Sequence, residues 1–112
     1  MMKDVLYLMM KLGKNLDYRL FWTEEAIRNL EEILDYLIDN WSQKEVESFN
    51  KKLSKQLDLI LINPKMFPVS SYNPRLRKAV LSKQTTVFYE LKGNIIYLAY
   101  LFVNRKNIIG IK

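Results

Sequence analysis

The stretch Ile95–Val103, IIYLAYLFV, limits what this chain can fold into more than any other, because it is apolar at every position and so apolar on both faces of a strand. A strand of that kind belongs in the middle of a sheet, with at least one face covered by other elements. It lies within Arg75–Lys112, which holds nearly all of the chain's β-forming sequence. That stretch also spaces Arg77 and Arg105 so that they can meet across a sheet.

The covering layer is readable upstream. Leu16–Trp22 alternates as a first strand, with Leu16, Tyr18, Leu20 and Trp22 on one face. Thr23 reads as an N-cap, and Glu24 and Glu25 follow at the positive end of the helix dipole. The helix to Asn40 sets Ala26, Leu30, Ile33, Leu37 and Trp41 at helical spacing, with an acidic opposite face. Ser42 and Glu45 make a capping box that opens a second helix with almost no loop between, which predicts an antiparallel αα-hairpin. Val46, Phe49, Leu53, Leu57, Ile60 and Leu61 form its apolar stripe, and Asn63-Pro64 ends it. The hairpin needs a second apolar surface, and the sheet supplies it.

Pro64–Pro74 carries all three prolines and reads as a loop. Strands are expected at Leu76–Leu81 and Thr85–Leu91 around a Ser82–Gln84 turn. Lys92-Gly93-Asn94 turns the chain into Ile95–Val103, and Ile108–Ile111 is expected to add a short last strand. The fold class is therefore α+β, a first strand and an αα-hairpin packed on a mostly antiparallel C-terminal sheet, in the order β-α-α-β-β-β. One domain spans 16–112. Residues 1–15, with four methionines in the first ten positions, are expected to be a dispensable extension. Its apolar run, Val5–Met10, is too short to cross a membrane.

Charge narrows the class of partner. Net charge is +6, yet 23–40 holds one basic and six acidic residues while 41–112 holds thirteen and four. A domain polarised in this way steers an anionic partner to its basic side. Cysteine and histidine are both absent. Disulfides and thiolate metal sites are thereby excluded, as are the commonest general base and the commonest metal ligand. No cofactor or metal is called for.

Several short features form one ordered pattern: W-T before the first helix, Tyr36 and Trp41 at its end, N-P after the second, L-R-K at Leu76–Lys78, V-F-Y-E-L at Val87–Leu91 and F-V-N-R-K-N at Phe102–Asn107. The set resembles the RelE/ParE superfamily of toxins from bacterial type II toxin–antitoxin systems, over about 16–112. The resemblance implies a small cytoplasmic toxin held inactive by a cognate antitoxin that wraps its surface. RelE-like members cut messenger RNA on the translating ribosome, and ParE-like members poison DNA gyrase. The long helices and minimal turn resemble the ParE side. A non-toxic basic module binding nucleic acid or an acidic protein is the reading from a different class.

RNA cleavage needs a base, an acid and cations for the charge that builds on the phosphate. Arg77 and Arg105 match the cations, and only Tyr89 and Lys83 are near enough in sequence to move protons. As a target-binding surface the set is Arg77, Lys78, Arg105 and Lys106. Plainer roles stand beside these: Arg77 supporting the sheet or pairing with Glu90, Tyr89 packed in the core, Lys83 solvated in its turn, and Arg105 exposed at a strand end.

Overall fold

A computed structural model describes residues 17–104. The elements run β1 (Arg19–Trp22), α1 (Glu24–Asn40), α2 (Gln43–Ile62), β2 (Arg77–Val80), β3 (Thr85–Lys92) and β4 (Ile95–Val103). They form a four-stranded sheet in the order β1-β4-β3-β2. β1 pairs parallel to β4, and the other two pairings are antiparallel. The doubly apolar strand therefore lies inside the sheet, as its composition requires. The first strand begins at Arg19, later than the alternation from Leu16 suggests. The strand expected at Ile108–Ile111 and the extension 1–15 lie outside the described residues.

Local chemistry sets the helix ends. The Thr23 hydroxyl accepts from the Ala26 N–H (3.1 Å), and at the next junction the Ser42 N–H donates to the Glu45 carboxylate (3.2 Å). Hydrogen bonding to Ser42 holds the Glu45 carboxyl below its ordinary range. The Asn63 N–H closes α2 on the Leu59 carbonyl. Gly93, at φ 60°, opens the β3–β4 turn in the left-handed region that a two-residue hairpin loop uses.

One face of the sheet and the inner faces of both helices share a core that includes Leu30, Leu53, Leu57, Ile60, Val87, Tyr89, Ile96 and Leu98. The β3–β4 register slips once: Phe88 faces Tyr100 while Tyr89 faces Leu98, so Ala99 is the extra residue of a β-bulge. Thr23 sits against that bulge. Its hydroxyl lies 2.7 Å from the Leu98 carbonyl oxygen and 3.0 Å from that of Ala99. One side chain thus caps α1 and ties it to the sheet. Thr23→Val keeps the shape and removes both functions, for an expected loss of about 2 kcal/mol in urea denaturation; an unchanged midpoint would refute this dual role.

Candidate functional site

The sequence-predicted residues fall into separate places. Arg77 stands opposite Tyr89 in the β2–β3 register. Its guanidinium donates to the Phe67 carbonyl at 2.7 Å and reaches the Lys65 carbonyl at 3.4 Å. The Tyr89 ring is fully buried and meets Phe67 edge-on, and its hydroxyl donates to the Pro64 carbonyl at 2.6 Å. Burial pushes the Tyr89 phenol up to about 12, against the opposing pull of the Arg77 charge. Together the two side chains hold down the start of the proline-rich loop. Arg77 does not meet Glu90, because strand alternation puts the two on opposite faces; Glu90 lies 4.0 Å from Lys92 instead.

Lys83 sits in the turn at the other end of the β2–β3 hairpin, beyond the Val80–Thr86 pair. Lys78 alternates with Arg77 and Ala79, so it points to the opposite face of the sheet and is exposed. Arg105 and Lys106 lie outside the described residues. β4 ends at Val103 opposite Thr85, four positions along β3 from Tyr89 and hence about 13 Å from the level of Arg77. Among the described residues, Arg77 and Tyr89 are brought together and Lys83 and Lys78 are not.

A second feature was not anticipated from the sequence. β1 pairs with β4 only as far as Trp22 opposite Leu98, so among the described residues the outer edge of β4 from Ala99 to Val103 has no neighbouring strand. Beside that edge lies an open groove of about 810 Å³ between α1, α2 and the Ser82–Gln84 turn. Its walls are mainly apolar, with Ile33, Tyr36 and Leu37 from α1, Phe49 from α2, and Leu101 and Val103 from the strand. Its charged lining is Glu25 and Glu32 from α1, Glu45 and Lys52 from α2, and Lys83 from the turn. The Asn29 side-chain oxygen accepts the Leu101 N–H at 3.0 Å and so takes the place of a ladder partner on this edge. The available signal was the length mismatch between the first strand, which ends at Trp22-Thr23, and the nine-residue strand that it joins.

No described helix is long and apolar enough to cross a membrane. Among the described residues no group of three or more carboxylates could hold a metal ion. Strand edge, apolar walls and charged lining suit the groove to a protein segment.

Comparisons with known proteins agree with this architecture. No curated protein matches the sequence. A solved structure described as "Chromosomal ParDE TA system from P. aeruginosa" superposes with a TM-score of 0.66 at 17% identity, covering 77% of this chain and 95% of that one. At that identity the likeness speaks for the fold alone. A family model described as "ParE toxin of type II toxin-antitoxin system, parDE" matches residues 20–107. That span takes in both helices and all of the sheet except its first residue, so the chain belongs to the ParE toxin family of type II toxin–antitoxin systems.

Proposed function

We propose that this chain is a cytoplasmic toxin that arrests growth by poisoning DNA gyrase and is held inactive by a cognate antitoxin, a segment of which lies in the groove beside β4. Membership of the ParE family supports the toxin and its antitoxin. The observation that carries the choice of gyrase over messenger RNA is the state of Tyr89. Its phenol is buried, raised to about 12 and already donating to Pro64, so it is not available to pass a proton to or from a bound ribose. Lys83, the other proton carrier considered, stands at the far end of the hairpin from Arg77.

Target binding is assigned to the basic groups Arg77, Lys78, Arg105 and Lys106, with Arg77 and Lys78 on opposite faces of the sheet. Because Arg77 also fastens the loop at Phe67, Arg77→Ala tests that role only when the variant's stability is measured with it. Induction of the chain without antitoxin is expected to stop growth, and purified toxin to inhibit supercoiling by gyrase while leaving translated messages uncut in primer extension. Cut messages with normal supercoiling would replace this reading by the ribosome-dependent nuclease. Normal growth would point to a non-toxic binding module.

A further inference from the structure

The sheet has a second face, of which the roles above use only Lys78 and, where it meets the groove, Tyr100 and Phe102. The helices cover the side that carries Leu20, Trp22, Val87, Ile96 and Leu98. Strand alternation sends Phe21, Phe88, Tyr97, Tyr100 and Phe102 to the other side. These five aromatic residues come from three adjacent strands, and four of them pair across strands. Phe21 meets Tyr97 edge-on with centroids 5.4 Å apart, and Phe88 stacks on Tyr100 at 4.7 Å. Phe21, despite its contact with Tyr97, remains 52% exposed, and Phe102 54%. Large aromatic side chains left exposed together on one sheet face point to an interaction site.

Charge selects the occupant. Arg19, Lys78 and Lys92 alternate onto this same face, against one carboxylate among the described strand residues, Glu90, which lies beside Lys92. The Lys92 ammonium is 5.9 Å from the centroid of the Tyr97 ring, so cation and aromatic surface are adjacent. The acidic residues of α1 belong to the helical layer, away from this face. A second copy of the chain would bring like charges together, whereas a polyanion would not. Aromatic rings on an open four-stranded sheet, bordered by cations, offer stacking partners for unpaired bases and counter-charges for a phosphate backbone. In a duplex the base faces are already stacked on one another.

We infer that the open face of the sheet, centred on Phe21, Tyr97 and the Phe88–Tyr100 pair, binds single-stranded nucleic acid. This goes beyond the gyrase reading and does not depend on it, since the site lies on the opposite side of the sheet from the helices and its test contains no gyrase.

The test is fluorescence anisotropy of the full-length chain with labelled twelve-nucleotide oligo-dT, oligo-U and a duplex of equal length. Both single strands, or one of them, are expected to bind more tightly than the duplex. The logarithm of the affinity should fall with the logarithm of salt at a slope of about −2, as about three neutralised phosphates give on a single strand. Phe21→Ala combined with Tyr97→Ala is expected to weaken binding at least tenfold. Arg19→Gln with Lys78→Gln should flatten the salt slope while leaving the thermal melt unchanged, which keeps the test informative if the aromatic variant unfolds. No binding in low salt up to ~100 μM protein, the weak end of ordinary non-specific affinity, would overturn the inference. So would a duplex bound as tightly as the single strands, or a wild-type dimer in sedimentation that Phe21→Ala dissolves.

Discussion

Replacing Tyr89 by alanine is expected to cost about 3 to 5 kcal/mol of folding stability, the range for emptying a buried aromatic site. The ring is fully buried among the core side chains and against Phe67, so little of the space it leaves can be reached by water. Tyr89→Phe separates the hydroxyl from the ring. It deprives the Pro64 carbonyl of its donor and is expected to cost about 1 to 3 kcal/mol. The phenol's pKa is raised on folding from 10.0 to about 12, so its neutral form is the one the fold favours. Its contribution is therefore fully present below pH 10 and lost as pH climbs through 12. Wild type and Tyr89→Phe should converge in urea midpoint between pH 9 and pH 11. A constant difference between them across that range would contradict the buried, donating phenol.

Leu37→Glu is expected to weaken antitoxin binding by 100-fold or more, about 2.8 kcal/mol at 1.4 kcal/mol per decade. Leu37 is half-buried on the α1 wall of the groove, so in the free toxin a carboxylate there can still reach water. An antitoxin segment seated in the groove would remove that water and leave the charge beside apolar walls and near Glu32, which costs several kcal/mol without a partner. Ile38→Glu is the control, since Ile38 is 55% exposed and is not among the groove residues. Titration calorimetry with the antitoxin reads both variants. Equal affinities for Leu37→Glu and wild type would move the antitoxin to another surface.

What could be read from the sequence was what neighbours in the chain decide. Thr23, the Ser42–Glu45 pair and Asn63-Pro64 act on backbone groups within four residues, and they place the helix ends where the structure has them. The alternation in Val87, Tyr89 and Leu91, and the unbroken apolar run of β4, likewise reported burial directly. Arg77 was harder because its partners, the carbonyls of Lys65 and Phe67, belong to a loop whose path no local pattern specifies. An arginine that fastens a loop and one that grips a target look alike in sequence. The groove was hidden for a related reason: it arises from an early end to the β1 pairing and from a bulge at Ala99, and both are properties of strand register.

The parallel pairing of β1 with β4 has a consequence for how the toxin is made. Arg19 is joined to Ile95, so the first strand of the sheet must wait for the last one to be synthesised, 76 residues later. At ~5 to 20 residues per second that delay is about 4 to 15 s on each ribosome. Once Ile62 has been made, α1 and α2 are complete but their apolar faces have no β4 to pack against until Ile95 and beyond, and the bulge to which Thr23 bonds has not been translated. Closing so long a loop is also slow compared with forming the hairpin. The newly made chain therefore completes its groove and its open aromatic face only at the end of synthesis, which gives an antitoxin already present in the cell time to be at hand before either surface exists.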